Sequence, residues 1–120
     1  MTFTLDQPVD ATGCMQQLPS VNGRLVAVPT VLQTGPRFDP ASYGAFLRSF
    51  DFVAVDASGF TITNLATDAS LNCIESENAL PSVFSKGSKY RGFVLLDLPL
   101  DATSIGYVPT SADPGWEWNL

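Results

Sequence analysis

Several residue types that support catalysis or metal binding are absent or rare in this sequence. The chain of 120 residues has no histidine and only two cysteines, Cys14 and Cys73. Without histidine it cannot form a Ser-His or Cys-His catalytic pair, and neither cysteine has the close-spaced partner that a zinc site needs. The sequence therefore predicts no metal site, no cofactor and no enzymatic activity.

Basic residues are also scarce. The sequence has six lysine or arginine residues against twelve acidic ones, which gives a net charge of −6. Only Lys86, Lys89 and Arg91 lie close together, and they are called here the basic cluster. Nucleic-acid binding needs a basic face that displaces counterions from phosphates, and an anionic membrane surface attracts the same kind of face. We therefore expect neither of these as a partner.

The sequence lacks an apolar run of the length that a membrane-spanning helix needs, which argues against direct membrane insertion. It also lacks internal repeats, linkers and low-complexity segments. Hydrophobic residues make up 45% of the chain and charged residues 15%, whereas a disordered chain has the opposite balance. Residues 1–120 are therefore predicted to form a single domain with its own core.

Short apolar segments with a period of two residues, separated by Gly, Pro, Asn and Asp, dominate the pattern. They predict strands in these segments: 2–9, 25–32, 50–56, 60–63, 93–98, 104–108 and 116–120. About seven strands with little or no helix predict an all-β, antiparallel β-sandwich. Pro29 interrupts the second strand, and because proline cannot donate to a ladder, this predicts an edge strand or a bulge.

Three segments carry a resemblance to a known family. Residues 25–35 are similar to its long second strand, residues 50–60 to its strand with an Asp-x-x-Gly turn, and residues 85–107 to its C-terminal signature. The chain thus resembles the immunoglobulin-like domain of small secreted proteins and lipoproteins of Gram-positive, mainly actinobacterial, bacteria, akin in fold to the mycobacterial secreted antigen MPT-sixty-three. The resemblance implies an immunoglobulin-like sandwich, a secreted or lipid-anchored location and no catalytic residues.

Cys14 and Cys73 have two interpretations, a disulfide bond or two buried thiols. The even count, the sandwich-like pattern and the low charge favour the disulfide. It would close a loop of about 60 residues and stabilise the fold by about 4 kcal/mol in the chain-entropy model. Such a bond persists only outside a reducing cytosol. The disulfide therefore predicts a secreted or cell-surface protein, and the thiol alternative leaves a cytosolic one.

The aromatic residues outside the clearest strands are candidates for binding. Phe38, Tyr43 and Phe46 lie in the least strand-like segment, where they form either a partner-binding surface or a plug for one open end of the sandwich. Trp116 and Trp118 share one face of the last strand. They are either core residues or an exposed platform for sugar or protein.

The charged groups also have alternative interpretations. The basic cluster is either a solvated turn or a contact for an acidic envelope polymer. Asp68, Glu75 and Glu77 lie in a long polar connection. They form either a solvated acidic loop or, together with backbone carbonyls, a calcium site.

The sequence as a whole favours a non-enzymatic, secreted or surface-anchored interaction domain of the bacterial cell envelope or of host contact. A protein partner at the cell surface would bind through loops at one end of the sandwich, or along an exposed edge strand for which the strand of Pro29 is the candidate. The alternative function is an extracellular small-ligand or calcium-binding module.

Overall fold

Two antiparallel sheets account for 48% of the residues that the computed structural model describes, namely residues 2–11, 19–39, 47–71, 80, 84–108 and 116–120. The strands are β1 (Thr2–Leu5), β2 (Val9–Asp10), β3 (Gly23–Gln33), β4 (Phe52–Val55), β5 (Thr61–Ile62), β6 (Lys89–Pro99), β7 (Ser104–Tyr107) and β8 (Trp116–Asn119). One 3-10 turn (Ser49–Asp51) and one helix, α1 (Asp68–Leu71), complete the described elements. The all-β, sandwich-like prediction is confirmed, with eight described strands where about seven were expected.

The first sheet, called sheet A, is built around the two eleven-residue strands β3 and β6. They pair along their whole length, from Gly23 opposite Pro99 to Gln33 opposite Lys89. The short strands β1 and β2 both pair with the other side of β3. Sheet B has the strand order β5-β4-β7-β8. Sheet A is therefore built on one long antiparallel pair of strands that are distant in sequence, and β3 is its interior strand.

The expectation that Pro29 marks an edge strand is wrong, because β3 has neighbours on both sides. The Pro29 carbonyl accepts a hydrogen bond from the Asp6 N–H at 3.0 Å. In an antiparallel ladder the N–H and C=O of one residue point to the same side, so the missing N–H of Pro29 faces the break between β1 and β2. An interior strand accommodates the proline because the first strand ends there.

The core lies between the two sheets and follows the predicted alternation. Val26, Val28 and Leu32 of β3 share its face with side chains of β6, as predicted. The buried members of this core also include Leu96 and Leu98. Sheet B contributes four fully or almost fully buried residues to the same core: Phe52, Ala54, Ile105 and Tyr107. Burial of this continuous apolar face is the main stabilising contribution to the sandwich.

Local departures from the sequence prediction occur at the ends of strands. Val9 is 48% exposed and belongs to a separate strand instead of the core face of β1. Phe50 lies in the 3-10 turn and is 61% exposed, and Phe60 is 69% exposed. Residues 64–71, expected to be a polar connection, contain α1. In each case a turn or helix ends the alternation that the apolar pattern suggested.

The carboxylate of Asp97 is fully buried on the outer face of β6. Its Oδ1 accepts hydrogen bonds from the Ser20 hydroxyl and, at 3.1 Å, from the Asn22 N–H. Its Oδ2 accepts from the Val21 N–H at 2.8 Å and from the Thr67 hydroxyl at 2.6 Å. A buried carboxylate is stable only when its oxygens are satisfied in this way. Asp97 thus fastens two separate segments, residues 19–22 and the start of α1, to sheet A.

The turn that Asp97 holds is also sterically tight. A Cβ atom at Gly23 would lie 2.7 Å from the Leu100 nitrogen and 3.0 Å from the Leu98 carbonyl oxygen. The Gly23 N–H donates to the Ser20 hydroxyl at 2.9 Å. Only glycine allows the chain to pass this close to the turn after β6, so the turns before β3 and after β6 lie side by side.

Tyr107 closes the opposite end of the core. Its side chain is fully buried, and its hydroxyl accepts a hydrogen bond from the Leu47 N–H at 2.9 Å. Leu47 has a φ of 55°, a conformation that costs a leucine free energy. Next to it, the Arg48 guanidinium donates to both carboxylate oxygens of Asp51 at 3.1 and 3.0 Å. These contacts hold residues 47–51 over the end of sheet B.

We expect the substitution Asp97→Asn to lower the free energy of unfolding by about 2–3 kcal/mol, because an amide nitrogen would face N–H or hydroxyl donors that the carboxylate satisfied. Urea unfolding followed by fluorescence would measure the change. The matched control is Asp101→Asn, an exposed residue in the adjacent turn, for which we expect a change within about 0.5 kcal/mol. Equal stability of the two variants would show that Asp97 does not hold the turns.

Burial raises the pKa of the Tyr107 hydroxyl above its ordinary value. A raised pKa means that the neutral form is favoured in the folded state, so this contribution to stability is present below about pH 10 and is lost as the pH rises further. We expect Tyr107→Phe to cost about 1–2 kcal/mol at neutral pH, because the Leu47 N–H loses its partner. The variant should also lose less stability between neutral and alkaline pH than the wild type, as measured by urea unfolding.

Tyr90→Phe is the control for this pH dependence. The Ser85 N–H, which donates to the Tyr90 hydroxyl at 2.8 Å, lowers the pKa of Tyr90. Ionisation of Tyr90 therefore favours the folded state as the pH rises, which is opposite to the effect of Tyr107. Removing the Tyr90 hydroxyl should not reduce the loss of stability at alkaline pH. An identical alkaline decline in wild type and Tyr107→Phe would contradict the role assigned to burial.

Candidate interaction surfaces

One end of the sandwich collects three turns from different parts of the sequence. These are residues 19–22 before β3, residues 56–60 between β4 and β5, and residues 100–103 between β6 and β7. The Thr103 N–H donates to the Val55 carbonyl at 2.8 Å, which joins the third turn to the end of β4. With the Asp97 network on the other side, the first and third turns are fixed by hydrogen bonds to sheet strands. The second turn is ordered by hydrogen bonds within itself.

Each of these turns exposes a large apolar side chain. Val21 and Phe60 are each 69% exposed and Leu100 is 77% exposed, and the three are called here the apolar tip. Single exposed apolar residues are ordinary on protein surfaces, but a group of them marks an interaction site. Because rigid strands position the three turns, a partner would find these side chains already in place.

The turn that carries Phe60 is ordered by its own aspartate. The Asp56 carboxylate accepts from the Ser58 and Phe60 N–H groups at 2.9 Å each, and Gly59 has a φ of 87°. Such Asx-type turns need a residue that tolerates positive φ. Asp56, one of the acids that flank β4, therefore has a structural partner in the turn.

The predicted aromatic surface is only partly within the described residues. Phe38 is 7% exposed and belongs to the core, so its side chain packs as in the plug interpretation and does not offer an exposed contact. Tyr43 and Phe46 lie outside the described residues. Val21 and Leu100 were not predicted as binding residues, although an apolar residue beside turn-forming neighbours is the sequence signal that marks both.

The other residues singled out from the sequence are the two tryptophans of β8 and the two cysteines. Trp118 packs against the core and lies 6.5 Å from the Phe3 ring, in agreement with the packing interpretation, and nothing is described for the Trp116 side chain. Cys14 and Cys73 lie outside the described residues, so the disulfide stays a prediction.

Of the three acidic residues proposed for a calcium site, the structure describes one. Asp68 begins α1, whereas Glu75 and Glu77 lie outside the described residues. Within the parts of the chain that the structure describes, no group of three or more His, Cys, Asp or Glu side chains could hold a metal ion.

The basic cluster extends along the first half of β6. Lys89 and Arg91 are exposed on the outer face of sheet A, and Lys86 is exposed in the preceding turn. That turn is held against residues 34–37, since the Gly87 N–H donates to the Gly35 carbonyl at 2.9 Å. An open groove of about 300 Å³ continues from Arg91 across Phe93 and Pro29. The solvated interpretation of these cations is compatible with this exposure.

Among the described residues no helix has the length and apolar character to span a bilayer. Comparisons of the chain with protein-family models, with curated proteins and with solved structures find no match.

Proposed function

We propose that this chain is a non-enzymatic interaction domain that binds a protein partner at the bacterial cell surface through its apolar tip. The observation that carries the proposal is the exposure of Val21, Phe60 and Leu100 on three separate turns at one end of the sandwich. Burying such side chains against a partner contributes about 1.5–3 kcal/mol each, which is the range of the residues that dominate protein interfaces.

The construction of the tip supports the proposal. Asp97, buried under the first turn, makes four side-chain hydrogen bonds with residues 20–22 and Thr67. A partner that binds preformed turns does not have to order a loop, so less of the interaction free energy is lost to conformational entropy.

The proposed location rests on the sequence. The resemblance to immunoglobulin-like domains of secreted proteins and lipoproteins of Gram-positive bacteria favours export. The preferred pairing of Cys14 with Cys73 favours it as well, because a disulfide persists in an oxidising compartment. We therefore place the domain in the cell envelope or outside the cell.

The double variant Phe60→Ser/Leu100→Ser should weaken binding to the partner about tenfold or more while leaving the melting temperature unchanged. Binding of the fluorescently labelled domain to intact actinobacterial cells, titrated by flow cytometry, would measure this. Protease treatment of the cells should abolish the saturable signal, because the partner is a protein.

Phe50→Ser/Val108→Ser is the matched control, since these side chains are 61% and 41% exposed at the opposite end of sheet B. Equal weakening by both double variants, or no effect of the tip variant, would show that the apolar tip is not the binding surface. Binding that survives protease treatment would exclude a protein partner.

A test of the location uses the cysteines. We expect the intact mass of the protein to stay unchanged on alkylation without reductant, because Cys14 and Cys73 are bonded to each other. Reduction should then lower the melting temperature, since the bond contributes about 4 kcal/mol. Two added alkyl groups without prior reduction would contradict the disulfide and remove this support for export.

A further inference from the structure

The first half of β6 forms an edge of sheet A that carries no described strand on its outer side. Of the strands that the structure describes, β6 pairs with β3 alone. On the outer side of β6 the described residues form one backbone hydrogen bond, which the Asp97 N–H donates to the Leu65 carbonyl at 2.9 Å. This bond lies at the end of β6 near the apolar tip. Residues 89–95 form a separate stretch of the same edge.

The direction of the backbone groups along this edge follows from the ladder. Ala11 donates to the Leu25 carbonyl and Asp6 to the Pro29 carbonyl, so these β3 residues point their backbone groups away from β6. Because alternate residues of a strand point the same way, their cross-strand neighbours in β6 point theirs outward. The outward residues are Lys89, Arg91, Phe93 and Leu95.

The same four residues place their side chains on the outer face of sheet A. The first two are cations, and both are exposed. The next two are apolar and partly buried, and Phe93 lines the groove of about 300 Å³ together with Pro29 and Val31. The groove also has one acidic residue in its lining, Asp6, which lies across β3 from the edge. The edge thus offers two positive charges followed by an apolar stretch, in register with free backbone groups.

We propose that residues 89–95 of β6 bind an extended acidic peptide, which adds to sheet A as a further antiparallel strand. The backbone groups of the edge would pair with those of the peptide, as in other cases of strand addition. Acidic side chains would lie beside Lys89 and Arg91, and opposite charges on neighbouring strands stabilise the pairing.

A second copy of this chain fits the edge less well. Two β6 edges in antiparallel contact over residues 89–95 place Lys89 and Arg91 of each copy opposite Leu95 and Phe93 of the other, so neither cation gains a neighbour of opposite charge. Charged edge residues of this kind disfavour self-association. The edge therefore selects a partner strand of opposite charge.

The register defines the pattern of the peptide. An antiparallel peptide first meets Leu95 and Phe93, then Arg91 and Lys89. Side chains that share one face alternate along a strand, so the pattern is apolar-x-apolar-x-acidic-x-acidic from the amino end to the carboxyl end. This surface and its partner are independent of the apolar tip.

The probe is a capped, fluorescein-labelled heptapeptide, Val-Thr-Val-Thr-Glu-Thr-Glu, titrated with the full chain and followed by fluorescence polarisation. Arg91→Glu should weaken its binding about fivefold or more, and should strengthen binding of the same peptide with lysine in place of glutamate. Lys86→Glu is the matched control, because it makes the same charge change in the turn outside the edge. Unchanged melting temperatures would verify that the variants fold.

Three results would overturn the proposal. The first is no binding of the acidic peptide. The second is equal binding of a peptide whose alternate amides are N-methylated, which would indicate attraction by charge without strand pairing. The third is concentration-dependent dimerisation of the wild type that Arg91→Glu changes, measured by sedimentation, which would identify a second copy as the occupant. Binding to cells through the apolar tip is a separate measurement, so failure of either proposal is distinguishable from failure of the other.

Discussion

The buried carboxylate of Asp97 determines how one end of this protein is organised. It is fully buried in β6, and it accepts hydrogen bonds from three residues of the turn before β3 and from Thr67 before α1. A carboxylate in an apolar setting is costly unless both oxygens are satisfied. The two segments that satisfy it are therefore tied to the sheet, and the small side chains of Ala27 and Ala69 pack in the cluster beside it.

This arrangement separates the structural and the exposed residues at the tip. The polar groups of the turns are directed inward to Asp97 or into their own turns, as with Asp56. The large apolar side chains of Val21 and Leu100 are left outside. An ordinary solvated turn exposes polar side chains, whereas these turns expose apolar ones. Apolar side chains in contact with water do not stabilise the isolated domain. The proposed protein partner would bury these side chains.

Two surfaces of different chemistry follow from the topology. The tip is apolar and lies where the turns of both sheets meet, whereas the edge of β6 combines cations with outward backbone groups. Since the chain has a net charge of −6, the grouping of Lys86, Lys89 and Arg91 on one strand and its turn is a local exception. The acidic peptide proposed for this edge would be attracted by these charges.

The alternating apolar pattern by itself determined the strand-rich, two-sheet class and the core face of β3, because a period of two residues buries Val26, Val28 and Leu32 together. It did not determine that β3 is interior, because the tolerance of Pro29 depends on where β1 ends. Nor did it mark Asp97, which stands in an apolar run and is stabilised by donors about 30 and 77 positions away in sequence. Local propensity acts between neighbours in the chain, whereas the satisfaction of a buried charge and the exposure of Leu100 depend on segments that only folding brings together.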